Sequence, residues 1–318
     1  MEILKSEQYI NEKLTIHPVT KEMLSKMKGL VSADEKARRF IEENNLVWNP
    51  VTMSYDCKDD VQVSEDIVIN GKLKIIFGKV SGDFDCRDNN LTTLNGAPQE
   101  VGGSFYCSYN NLTTLEGAPK EVGGYFDCSN NNLTTLEGVP NAVGKNFDCG
   151  RNNLTTLNGA PQEVGGSFYC SGNELTTLEG APQEVGEDFY CSNNNLTTLE
   201  GAPNEVGGYF DCSYNKLTTL KGAPKKVYGY FDCDNNNLTT LEGAPQEVGG
   251  DFSCFYNQLT TLEGAPQEVG MNFYCNNNTL TSLEGAPQEV GMNFYCGNNP
   301  NLVLPEVKPS WVKGKIIS

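Results

Sequence analysis

Eleven copies of F-x-C-x-x-N recur at a fixed step of 21 residues, from Phe84-Asp85-Cys86 to Phe294-Tyr295-Cys296, and Asn89 to Asn299 keep the same interval. Ten copies continue into L-T-[TS]-L, from Leu91/Leu94 to Leu280/Leu283. A constant period of this length rules out a conventional globular core. It demands a stack of like units, each burying its apolar side only against its neighbours.

One unit, residues 101–121, shows how the coil should run. Phe105 and Cys107 are two apart, which puts both on the inner face of a short strand. Tyr106, Ser104 and Ser108 then fall on the outer face. Asn110 ends the strand, where its amide can bond backbone groups that the turn leaves unpaired. Leu112 and Leu115 turn inward again. Glu116-Gly117-Ala118-Pro119 is turn chemistry, and Val122 returns the chain to the core. No unit carries a helical period, and proline sits in nearly every return segment, so the return is expected to be extended or turn-like.

The F-x-C-x-x-N-x-L pattern resembles the strand-and-turn segment of the leucine-rich repeat, with Phe and Cys at two leucine positions. The whole unit, ending in L-T-T-L-E-G-A-P, is similar to the short bacterial and bacteriophage subclass of that family across roughly residues 80–305. It departs in a four-residue gap from Val101 to Phe105. The resemblance implies a β-rich solenoid with a parallel concave sheet, an extended or turn-like convex side, and a small helical N-terminal segment. The run from Ser6 to Thr20 resembles N-terminal segments of gut bacteriophage proteins, which implies a phage-encoded protein in a bacterial cytoplasm, or a virion part. The plain alternative is a tail with a short helix around Lys21–Lys28.

The ends differ from the array. Residues 1–49 form an N-terminal segment with short helices, one opening at the capping box Ser32-Ala33-Asp34-Glu35 and running to about Asn44. Residues 50–81 are expected to cap the stack, with Val61 as a degenerate first strand, Asn70-Gly71 as a hairpin turn and Val80 joining the valine column. The repeats fill 82–300. A short cap, 301–318, offers Leu304, Trp311 and Ile316-Ile317 to cover the last coil.

The chain carries a net charge of −18. Residues 1–80 hold 12 Lys/Arg against 13 Asp/Glu, whereas residues 81–318 hold 11 against 28, so the repeats carry the charge. Such a surface repels nucleic acid and anionic lipid and attracts a basic protein. The first residues lack the apolar run of a signal peptide, and no stretch has the length of a membrane span. A cytoplasmic location is therefore expected.

Of 12 cysteines, all but Cys57 share one repeat position, and the sole histidine is His17. A line of thiols cannot converge on a metal as zinc ligands do. Buried, reduced, structural cysteines are expected, with no metal or other cofactor. The Asn-Leu-Thr triplets, such as Asn111-Leu112-Thr113, match a glycosylation sequon but follow from the repeat itself.

Differences between repeats mark the surface. The residue between Phe and Cys reads Asp85, Tyr106, Asp127, Asp148, Tyr169, Tyr190, Asp211, Asp232, Ser253, Tyr274, Tyr295. Tyrosine suits both strands and interfaces. Aspartate is a poor strand former and attracts cations. The ten Asp and Tyr residues of this column are the candidate binding residues, with solvated side chains facing outward on the concave sheet. Against this stands the inheritance of one soluble ancestral surface by duplication. Asp127/Asp148 and Asp211/Asp232 should be neighbours able to share a calcium ion, although the nine-residue Gly/Asp period of calcium repeats is missing. No nucleophile–base pair, P-loop or G-x-G-x-x-G is present, so no enzyme is expected. The reading is a non-enzymatic scaffold that recognises a protein of basic surface. The alternative is a structural, virion-associated phage protein or spacer.

Overall fold

The computed structural model describes residues 34–318. The phage-like run, the helix expected near Lys21–Lys28 and the first half of the capping box lie outside the described residues.

Each repeat is one coil carrying two strands of two residues, such as Phe105–Tyr106 and Glu121–Val122. Coils stack in register: Phe126 pairs with Phe105 and Phe147, and Val122 pairs with Val101 and Val143. Ten strands of the Glu–Val type and three from the N-terminal cap build a first sheet of 13, and eleven Phe strands with one strand from each cap build a second of 13. The return segment, expected to be merely extended or turn-like, is thus a hydrogen-bonded sheet in its own right. The cause is the fixed 21-residue step. It sets every buried valine over the next, and the flanking amides and carbonyls then meet across each gap. Proline precedes this strand, outside the ladder, where its missing N–H costs nothing.

The core is a set of columns. Every phenylalanine from Phe84 to Phe294 is fully buried, with successive ring centroids 5.1–5.8 Å apart. Each such ring contributes about 1.5–3 kcal/mol by leaving water. One coil alone offers it no second wall, so that gain exists only in the stack. The cysteines of the array are buried and free, and eight of the eleven thiols donate to a carbonyl of the next coil. Cys128 Sγ donates to the Asp148 carbonyl of the next coil at 3.3 Å.

Asparagine holds the turns. Asn131 Nδ2 donates to Cys107 O (3.0 Å) and Cys128 O (3.1 Å), while its Oδ1 accepts from Leu112 N (3.0 Å). The residue before this asparagine lies at positive φ in all 11 repeats, from Asp88 to Asn298, including Tyr109, Arg151, Tyr214 and Tyr256.

Both ends are closed. Helix α1 (Glu35–Glu43) is capped by Asp34, whose carboxylate accepts from Lys36 N at 3.1 Å and Ala37 N at 3.3 Å. Asp34, rather than Ser32, is therefore the N-cap. Phe40 of this helix meets Phe77 edge-on, and Phe77 meets Phe84 at 4.9 Å, so the aromatic column continues into the cap. Val61 pairs with Phe84, Val80 pairs with Val101, and Asn70-Gly71 turns a two-stranded hairpin. At the other end Ile316 pairs with Phe294, Val312 bridges to Val290, and Trp311 covers Phe294 edge-on at 5.3 Å. No helix among the described residues is long and apolar enough to cross a membrane.

Candidate functional site

The ten candidate residues fall on the outer face of the second sheet, in one column. Parallel pairing sets Asp127 beside Tyr106 and Asp148, and Asp211 beside Tyr190 and Asp232. They are half-buried, not freely solvated as expected. At the ~4.8 Å strand spacing, neighbours of this size shield one another. Ser104 and Ser108, placed outward by alternation, are buried for the same reason.

The tyrosines stack along the column. Tyr169 and Tyr190 lie 4.9 Å apart and nearly parallel, and Tyr274 and Tyr295 lie 4.6 Å apart. A second stack, Tyr209 on Tyr230 at 4.6 Å, forms in the column before Phe. Burial and the charge of Asp188, which accepts from the Tyr190 hydroxyl at 3.2 Å, hold the Tyr190 phenol well above its ordinary range. Three more tyrosines, Tyr109, Tyr214 and Tyr256, stand exposed at the positive-φ position, which bulky residues rarely occupy.

The aspartates bond along and across coils. Asp127 accepts from Ser108 Oγ (2.7 Å), Ser129 Oγ (2.7 Å) and Ser129 N (3.0 Å). Asp211 accepts from Ser213 in the same way. Asp85 is ion-paired with Arg87 at 2.7 Å, and Arg87 lies over the Tyr106 ring at 4.8 Å. Burial pushes the Asp85 carboxyl up, but its bonds to Arg87 outweigh this and hold it below the usual range. Asp148 has only the Gly150 amide, and burial pushes it up to about 6.

Asp234 was missed by reading the single column. It stands where other repeats carry Ser108, Ser129 or Ser213, and it is 6% exposed. Its Oδ1 accepts from Ser253 Oγ (2.6 Å) and Phe255 N (2.8 Å). Burial first, and then the charge of Asp232, drives its carboxyl well above the usual range. It is the one acid in a column that otherwise holds Ser, Gly, Asn, Arg87 and Phe255, and that was the available signal. Among the described residues, no three His, Cys, Asp or Glu side chains gather as metal ligands. The paired aspartates are adjacent, and at least one oxygen of each is engaged by a serine or a backbone amide.

A groove of 1330 Å³ runs along the outer face of the first sheet, lined by the Glu and Gly columns from Lys79 to Tyr228. None of the ten candidates lines it.

Two ladders of two-residue strands, a buried asparagine column and capped ends define a leucine-rich-repeat solenoid. Among solved structures the chain is similar to YopM from Yersinia enterocolitica WA-314, at 17% identity and a TM-score of 0.54, over 81% of this chain and 68% of that one. The YopM leucine-rich effector of Yersinia pestis also aligns, at 17% identity over 81% of this chain and 88% of that one, with a TM-score of 0.36. No family model and no curated protein sequence matches the chain. At this identity the likeness concerns the fold alone.

Proposed function

We propose that this chain is a non-enzymatic protein-recognition scaffold whose docking surface is the outer face of the second sheet. The observation that supports it is the in-register column of half-buried aspartates and stacked tyrosines. Among the described residues, its sole ion pair is Asp85–Arg87. Among the described residues Asp127, Asp148, Asp211 and Asp232 make no ion pair, and they lie beside rigid aromatic area. That combination favours lysine and arginine on a partner. Tyrosines locked by stacking lose little side-chain freedom when a partner docks.

The test uses isosteric changes, because these carboxylates hold hydrogen bonds that lysine would break. Asp127, Asp148, Asp211 and Asp232 are changed together to Asn, and binding to the partner retained by the native protein is measured across salt. Salt-sensitive binding that weakens at least tenfold in the variant supports the reading. Unchanged binding, or cross-links confined to Glu116 and Glu200 or to the cap, makes the array a spacer.

A further inference from the structure

We propose that the groove on the first sheet is a second, separate binding site, for an extended basic polypeptide segment with a lysine or arginine at every third residue. It does not depend on the second-sheet reading.

The groove has a defined chemistry. Its wall carries Glu100, Glu121, Glu163, Glu184 and Glu205, against only Lys79 and Lys120. Lys79 is bound to Glu100 at 2.7 Å, at the N-terminal end. Among the described residues, Glu121, Glu163, Glu184 and Glu205 make no ion pair, so the middle of the groove holds unneutralised carboxylates.

The floor adds a second, independent feature. It is the glycine column that follows each valine. A Cβ added at Gly123, Gly144, Gly165 or Gly186 would lie 2.2–2.4 Å from the carbonyl oxygen of the glycine one coil before, so side chains are largely excluded here. The carbonyls of Gly123, Gly144, Gly165 and Gly186 accept no hydrogen bond from the described residues. Carboxylates above and free carbonyls below make the groove an acceptor on both counts. It fits an occupant rich in N–H donors and positive charge.

The dimensions select the form of that occupant. Lys79 to Lys226 spans seven strand steps, roughly 34 Å at about 4.8 Å per step. Over that length the 1330 Å³ form a long, open trough. An extended chain matches its repeat. In the polyproline II form three residues rise about 9.3 Å. Two coils rise about 9.6 Å. A basic residue at every third position therefore meets alternate coils, such as those of Glu163 and Glu205.

The far end is closed by a residue substitution within the repeat. Tyr228 occupies the position held by glycine in the coils on either side, and it stands 55% exposed. Lys226 lies over its ring at 5.0 Å and binds Glu247 at 2.8 Å. Beyond Tyr228 a second groove of 290 Å³ continues toward Glu289. Tyr228 thus divides one channel into a long and a short part, and sets the length of segment the long part can take.

The test is fluorescence anisotropy with a labelled peptide of four tandem Lys-Pro-Gln triplets, about 37 Å long in the polyproline II form. The full chain is expected to bind it, more weakly as salt rises. Changing Glu121, Glu163, Glu184 and Glu205 together to Gln is expected to weaken binding at least tenfold. Changing Glu116, Glu137, Glu179 and Glu200 to Gln, or the four second-sheet aspartates to Asn, is expected to leave it within twofold. Tyr228→Gly opens the channel and is expected to tighten a six-triplet peptide at least fivefold, with the four-triplet peptide unchanged. This arm stands even where the quadruple Gln variant fails to fold. The proposal is overturned if both Glu quartets matter equally, or if the aspartate changes abolish peptide binding. It is also overturned if a helical lysine peptide or spermidine binds as tightly, or if Tyr228→Gly leaves the length preference unchanged.

Discussion

The side-chain oxygen of Asn194 accepts the backbone amide of Leu175 in the preceding coil at 3.1 Å. The Asn194 Nδ2 donates to Cys170 O and Cys191 O, each at 3.1 Å. One buried side chain therefore bridges both coils at the point where the strand ends. Asn194→Ala leaves the buried Leu175 N–H unpaired, while Cys170 O and Cys191 O keep the amides of Asn173 and Asn215, and it should cost roughly 1–3 kcal/mol. The adjacent Asn195 contributes its backbone amide to Leu175 O, which any residue can do. Asn195→Ala should therefore change stability by less than about 0.5 kcal/mol. Urea unfolding of the two variants checks this, and equal losses would mean that the ladder is not what holds the turn.

The thiols give a second measurable contrast. All 12 cysteines of the chain are buried and free. Burial pushes Cys107 through Cys275 well above the ordinary thiol range, and the last, Cys296, up to about 11. A thiol-reactive dye at pH 8 should label the array cysteines of native protein slowly, with Cys296 first among them, and denatured protein at all 12 sites. Rapid labelling of a mid-array cysteine such as Cys191 would contradict the burial.

Acid should stabilise this protein before it destabilises it. Burial raises the Asp148 carboxyl from 3.8 to about 6, which means that the folded state holds its proton more tightly than the unfolded chain. The stabilising contribution is complete below pH 3.8 and is lost as pH rises through about 6. Asp232 and Asp234 are shifted in the same direction and extend the decline upward. Asp85, shifted downward, acts oppositely, but only below pH 3.8. The melting temperature should therefore fall between pH 4.5 and 7.5, and Asp148→Asn should flatten that slope. A melting temperature that rises over this range would show that burial does not penalise these charges.

Much of this was legible in the sequence, and the reason is register. A residue repeated at a fixed step must stack on itself, so the Phe, Cys, Leu, Val and Asn columns follow from spacing alone. The Asn70-Gly71 hairpin and the Val61 strand were legible from local chemistry. The first sheet, built on the Glu–Val strands, was not. Two residues of Glu–Val are too short to show a strand period, and only the stacked neighbours supply their hydrogen bonds. Nor was the half-burial of Asp127 or Asp148, because shielding comes from residues 21 positions away, whereas alternation along one strand describes only that strand. The left-handed position went unread because Asp88, Tyr109, Arg151 and Asn193 share no side-chain chemistry, only a backbone angle. The groove escaped because glycine reads as a bend until its carbonyl is seen against the next coil.

The C-terminal closure can be tested by its locality. Trp311 sits edge-on against Phe294, and Ile316–Ile317 adds the last strand of the second sheet. Trp311→Ala uncovers a ring that is otherwise fully buried and should cost about 1.5–3 kcal/mol. In a linear stack each coil contacts only its neighbours, so that loss should not spread evenly. Hydrogen exchange should quicken for the amides of Phe294 and Cys296, which bond to Lys315 and Ile317, while Phe189 and Cys191 keep their protection. Equal loss of protection in both coils would mean that the array unfolds as one cooperative unit, and that Trp311 stabilises all of it rather than its last coil.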